Sequence, residues 1–174
     1  MKISKEFDAI VGFAREEAMR TGSYSIEADH LFLGILRHGG NSAVEALRSC
    51  GIDTAGCKSE IDSFIFREQG IPYGHEDEVR LGREGSNTVS MAIAEAMSEG
   101  AEETGAIHLL KAICKQQACR SSEYLRRHGF SGQNLGRAGG AEKKQEESSG
   151  ALGKKEIAIL LSTINLNTNK TIVS

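Results

Sequence analysis

Part of this chain is written twice, and that duplication constrains the fold more than any other feature. ADHLFLGIL (28–36) and GAIHLLKAIC (105–114) each set a His-Leu pair at the front of an apolar run, and the two histidines, His30 and His108, lie 78 residues apart. Sliding the sequence by that distance without gaps aligns Val11 with Val89, Ala14 with Ala92, and Glu17-Ala18-Met19 with Glu95-Ala96-Met97. Gly22 then meets Gly100, Ile35 meets Ile113, Glu45 meets Glu123, Leu47-Arg48 meets Leu125-Arg126, and Gly51 meets Gly129. Ordered matches on apolar and glycine positions mark a tandem duplication, not two unrelated amphipathic stretches. The chain must therefore fold as two like units.

Each unit reads as helices. Ser4 is an N-cap residue, and Phe7, Ile10, Val11, Ala14 and Ala18 follow it at helical spacing until Gly22. A second helix over Asp29–His38 is apolar nearly all round, so it belongs at the centre. A third starts at Asn41 or Ser42, carries Val44 and Leu47, and ends at Gly51. A fourth follows Asp53 and is expected to bury Ile61, Phe64 and Ile65 before Gly70-Ile71-Pro72 stops it. The second unit repeats the plan from Ser86 or Thr88 to Glu99, Thr104 to about Gln116, and Ser121 to His128. A fourth helix is missing where the repeat would put it. The expected class is all-α, with about four helices in the first repeat and three to four in the second. Unit one spans 1–70, a polar connector 71–85, and unit two 86–131. Residues 132–174 read as a flexible Gly/Ser/charged linker followed by an apolar tail, KKEIAILLSTINL, which either docks as the missing helix or binds a partner.

Composition excludes several classes. A formal charge of −3 does not suit a nucleic-acid footprint. The longest apolar run, Ile157–Leu161, is far too short to span a membrane, and the charged amphipathic start is no signal peptide, so the expected location is the cytoplasm. Cys50, Cys57, Cys114 and Cys119 form no CxxC pair and read as reduced thiols; a metal site of Cys114, Cys119 and a histidine is the alternative. No Ser-His-Asp, HExxH or paired-carboxylate pattern points to hydrolysis. His30 and His108 each fall in the first turn of a buried helix and read as structural. Arg80, Arg83, Arg126 and Arg127 are either scattered surface charges or a basic patch for an acidic partner.

The pattern Ala14-Arg15-Glu16-Glu17-Ala18, Gly22, Ile26, His30-Leu31-Phe32-Leu33-Gly34-Ile35-Leu36, Leu47 and Gly51-Ile52-Asp53, repeated in weaker form over 80–130, resembles the N-terminal (Clp R) domain of Clp unfoldases of the ClpC and ClpA type. That resemblance implies two pseudo-symmetric helical units with no catalytic chemistry and no cofactor. It implies a domain that binds a Clp ATPase or protease component, an adaptor or a substrate peptide, and that is monomeric apart from a ring. No ATPase ring accompanies it. The nearest P-loop-like string, SSGALGKKE, has Ser148 for the first glycine and Lys155 for the magnesium-binding hydroxyl. A free-standing protein is the expectation. The alternatives are the front portion of a ClpC/ClpA-like unfoldase, or a helical regulatory protein that kept the scaffold and lost recognition.

The resemblance also nominates a site. In ClpC-type members an acid at the start of the second helix can hold the guanidinium of a phosphorylated arginine, with a hydroxyl near the start of helix one supporting the phosphate. Carried over by position, the acid is Asp29 and the hydroxyl Ser4, with Lys2 nearby. In unit two the corresponding residues are Ile107 and Gly82, so that copy is expected to have lost the function. The competing reading is that Asp29 caps helix two and Ser4 caps helix one.

Overall fold

Ser4 begins the first helix by accepting the Phe7 N–H on its hydroxyl (3.0 Å), the N-cap geometry its side chain favours. That helix, α1 (Lys5–Thr21), ends at Gly22, whose φ of 82° closes the last turn with N–H bonds to Ala18 and Met19 carbonyls. The rest of the chain, in a computed structural model that describes residues 1–67, 69–132 and 135, runs through α2 (Ala28–His38), α3 (Ser42–Ser49), α4 (Thr54–Ile65), α5 (Arg83–Ser98), α6 (Ala106–Lys115) and α7 (Arg120–Arg127). The all-helical expectation holds. Asn41 and Asp53 cap α3 and α4 through their side chains, and Phe7, Ile10, Val11, Ala14 and Ala18 are all buried.

The repeat offset holds in three dimensions, since α1, α2 and α3 correspond to α5, α6 and α7. The two central helices, α2 and α6, are buried along most of their length. The α1–α2 crossing is tight because Gly34 has no side chain there: a Cβ would lie 2.6 Å from the Ile10 carbonyl oxygen. Ala112 fills the same place in unit two.

Four two-residue strands escaped the sequence reading: β1 (Lys2–Ile3), β2 (Ser25–Ile26), β3 (Arg80–Leu81) and β4 (Glu103–Thr104). They pair in parallel as β1 with β4 and β2 with β3, so each ladder joins one unit to the other. Two helix boundaries also differ clearly from expectation. α5 starts at Arg83, inside the expected connector and ahead of Ser86. α4 stops at Ile65 rather than near Gly70, because the chain turns at Phe66 and Arg67 donates its N–H to the Thr21 carbonyl (3.1 Å). Consequently Phe64 is exposed and Ile65 only half-buried; Cys57 and Ile61 are the fully buried side chains of α4. In unit two, Gly132 and Leu135 are helical, in the positions of Thr54 and Cys57, and Leu135 joins the core as Cys57 does. A fourth element is therefore begun in register. The counterpart of Ile61, Gly139, and the apolar tail lie outside the described residues.

Candidate functional site

Helix N-termini leave backbone N–H groups without intrahelical partners, and each must find an acceptor. α1, α3 and α4 carry their own caps. α2, α5, α6 and α7 do not: their N-cap residues, Glu27, Gly82, Gly105 and Cys119, make no side-chain cap bond of their own. In each case a carboxylate from the other unit supplies the acceptor. Ala28 N–H donates to Glu84 Oε1 (3.2 Å), and its repeat counterpart, Ala106 N–H, donates to Glu6 Oε2 (3.0 Å). Gly85 N–H donates to Glu27 Oε1 (3.1 Å). Ser121 donates to Asp29 Oδ1 through its N–H (2.9 Å) and its hydroxyl (2.7 Å), and Arg120 N–H donates to Asp29 Oδ2 (3.2 Å). An acceptor carboxylate also meets the positive end of the helix dipole, so each contact contributes about 1 kcal/mol. Burial pushes the Glu84 carboxyl above its ordinary value, against the pull of the Ala28 N–H.

This geometry revises the nominated site. Ser4 is the cap of α1, and with Lys2 it lies along β4 of unit two: Ser4 N–H donates to the Thr104 carbonyl (3.0 Å) and Lys2 pairs with Glu103. Asp29 sits at the opposite end of α1, since α2 runs antiparallel to it and His30 meets Thr21. A 17-residue helix is about 25 Å long, so Asp29 does not share a site with Ser4 and Lys2. Nor does Asp29 cap α2. It is 8% exposed, and both oxygens are occupied by the start of α7. The sequence placed it in the right turn of the right helix; its partners, 91 and 92 residues away, carry no local signal.

The repeat explains Gly82. In unit one the Ser4 hydroxyl accepts the Phe7 N–H and Gly105 stands opposite. In unit two Gly82 holds the serine position, Glu27 the glycine position, and the Glu27 carboxylate accepts the equivalent Gly85 N–H. A Cβ on Gly82 would lie 2.1 Å from Glu27 Oε1. The acceptor has moved from one side of the junction to the other.

The histidines follow the same symmetry. His30 Nδ1 accepts the Glu27 N–H (3.0 Å) and His108 Nδ1 accepts the Gly105 N–H (2.9 Å). Their Nε2 atoms face Thr21 Oγ1 (3.2 Å) and Glu99 Oε2 (3.1 Å), which are themselves repeat counterparts. Burial drives His30 down to about 4, against the charges of Asp29 and Glu17, so it is neutral near pH 7. Both rings are structural. Burial pushes Cys57 and Cys114 up to about 12 and also raises Cys119, which keeps them as thiols. Among the described residues no three His, Cys, Asp or Glu side chains cluster as metal ligands. Of the arginines singled out by sequence, Arg127 is tied to Glu60 of α4 and lies over the Tyr124 ring. Glu6, Glu27 and Glu84 were missed. The signal was present for two of them, because Glu6 and Glu84 stand 78 residues apart.

Comparison with known proteins agrees with this architecture. The sequence pattern of the Clp repeat (R) N-terminal domain matches residues 2–128. Over 130 residues the chain is 23% identical to the negative regulator of genetic competence ClpC/MecB of Bacillus subtilis (strain 168) and 22% identical to the chaperone protein ClpB of Oceanobacillus iheyensis. Each alignment covers 75% of this chain but 16% of the relative, so the chain spans a small part of those proteins. Among solved structures, the Hsp104 N-terminal domain from Candida albicans superposes with a TM-score of 0.62 at 11% identity, over 78% of this chain and 87% of that one. The N-terminal domain of the caseinolytic protease associated chaperone ClpD from Arabidopsis thaliana gives 0.55 at 14% identity, over 79% and 91%.

Proposed function

Because the chain belongs to the Clp repeat (R) N-terminal domain family, we propose that it is a non-catalytic protein-binding module of Clp-type protein quality control. It recognises an adaptor, a substrate segment or a Clp component. The observation that carries this reading is the family match, which runs through both units and every ladder and cap that joins them. The histidines and the nominated carboxylate hold helix ends, which also supports a binding scaffold over an enzyme. Affinity capture from native lysate with the whole chain as bait, read by mass spectrometry, tests it. Enrichment of a Clp ATPase, a Clp protease subunit or one of their adaptors is the expected result. Failure to enrich any of these from lysate that contains them refutes it.

A second reading is favoured by one observation: the relatives carry this unit within much longer chains, of which it covers 16%. On that reading the chain is the front portion of a ClpC/ClpA-like unfoldase subunit. An antibody against residues 1–128 decides the matter by the mass of the native polypeptide it detects.

A further inference from the structure

Away from the helix N-termini at the unit junction, unit one carries an open cleft of about 480 Å³ between the C-terminal halves of α1 and α2 and the first turns of α4. Its floor is Glu17, whose side chain is 3% exposed. Three cations surround it. Arg20 donates to Glu17 from Nε (2.9 Å) and to Asp62 from Nη2 (2.7 Å). Arg37 reaches Glu17 and Glu16 at 3.4 Å each and lies over the Phe13 ring, and Lys58 pairs with Asp62 (3.1 Å). The side chains of Arg37 and Lys58 remain 41% and 47% exposed. Between them the wall is apolar, formed by Leu36 and Ala55.

The repeat shows which of these charges the scaffold needs. In unit two Glu95 takes the place of Glu17 and is paired with Lys115, the counterpart of Arg37. The other charges have no counterpart in the sequence: Ser98 stands for Arg20, Gly136 for Lys58 and Gly140 for Asp62. Unit two joins helix one to helix two through Glu95 with Lys115 and, at the α5 C-cap, through Glu99 with Lys111 and His108, with no cation in the places of Arg20 and Lys58. Arg20 is spent on Glu17 and Asp62, which leaves Arg37 and Lys58, each paired with acids yet still partly exposed, on either side of a notch with an apolar wall. Such a site favours a carboxylate carried on an apolar segment, since exposed guanidinium and ammonium groups bind anions without a large desolvation cost.

We propose that this cleft binds an acidic peptide, with one carboxylate held between Arg37 and Lys58 and the neighbouring apolar side chain resting on Leu36 and Ala55. The inference rests on the protein-binding reading and names the chemistry of the bound segment. Ligand binding there is weakened by salt, because both cations are solvent-facing.

Fluorescence polarisation with the whole chain tests it, using three fluorescein-labelled twelve-residue Leu/Ala-based peptides. One carries internal Glu and an amidated C-terminus, one has Gln at those positions and an amidated C-terminus, and one has Gln with a free C-terminal carboxylate. The expected result is binding of a carboxylate-bearing peptide at least tenfold tighter than the Gln amide; which of the two binds tells a side-chain carboxylate from a chain terminus. Lys58→Gln, an exposed change, weakens that peptide at least threefold and Arg37→Gln more, whereas Lys115→Gln in unit two leaves it unchanged. Equal binding of the Gln amide, no binding of either carboxylate peptide, or indifference to Lys58→Gln overturns the proposal. If Lys58→Gln still captures a Clp component from lysate as the unchanged chain does, yet no carboxylate peptide binds, the module stands and the cleft assignment falls.

Discussion

Thr104 is a buried residue at which the two units differ in chemistry. It occupies the place of Ile26, pairs with Ile3 in the β1–β4 ladder, and is fully buried with no hydrogen-bond partner for Oγ1 among the described residues. A buried hydroxyl without a partner costs about 1–3 kcal/mol in protein mutational data. Thr104→Val exchanges that hydroxyl for a methyl of nearly the same size, keeps the β-branched shape that suits the strand, and leaves the backbone bond from Ser4 intact. The expected gain is about 1–2 kcal/mol. For a folded unit of this size each kcal/mol moves Tm by roughly 4 °C, so the variant melts roughly 4–8 °C higher. Urea unfolding followed by circular dichroism supplies the free energy directly, with an unchanged m-value confirming that the folded and unfolded states are comparable. The reciprocal change, Ile26→Thr, should lose about 2–3 kcal/mol, through lost apolar burial and a new buried hydroxyl. If Thr104→Val has the same or a lower unfolding free energy, the hydroxyl is satisfied and the reasoning fails.

Two further outcomes follow from the unit junction and a third from the buried His30. Gly82→Ser displaces the Glu27 carboxylate and destabilises by about 1–2 kcal/mol; adding Glu27→Gly recreates the Ser4–Gly105 arrangement and recovers most of the loss, a coupling that a double-mutant cycle measures. Asp29→Asn presents an amide donor to the start of α7 and costs about 2 kcal/mol in urea unfolding, and an unchanged midpoint would show that the cap is dispensable. His30 has a folded pKa of about 4 against an ordinary 6.5, so the unfolded chain binds the proton more readily. Its contribution is complete above pH 6.5 and is lost as pH falls towards 4, by on the order of 3 kcal/mol. Relative to His30→Asn, the unchanged chain should therefore lose more stability between pH 7 and pH 4.

The helices were legible because their signals are local. Ser4, Asn41 and Asp53 bond N–H groups three residues away, and the apolar stripe of α1 repeats within one turn. The duplication was legible because apolar and glycine positions tolerate little change. What sequence inspection missed is all non-local. Two-residue strands are too short to show alternation. α5 starts at Arg83 because a carboxylate from Glu27, 58 residues away, receives its first turn. The separation of Asp29 from Ser4 and Lys2 was hidden for the same reason. Ser4 caps α1 and Asp29 lies in the first turn of α2, and only the direction of α1 against α2 shows that they lie at opposite ends. The exposed Phe64 was misjudged because the helix ends one turn early, where Arg67 bonds Thr21.

The crossed ladders bear on how the chain is made. β1 is synthesised well before its partner β4, which follows about a hundred residues later, and the α2 N-terminus waits for Glu84. A nascent chain can wind α1 to α4 but cannot close the β1 edge until Thr104 has emerged. Completion of unit one is therefore delayed until most of unit two exists, and the early half spends that interval with a strand edge and a helix end open to other partners.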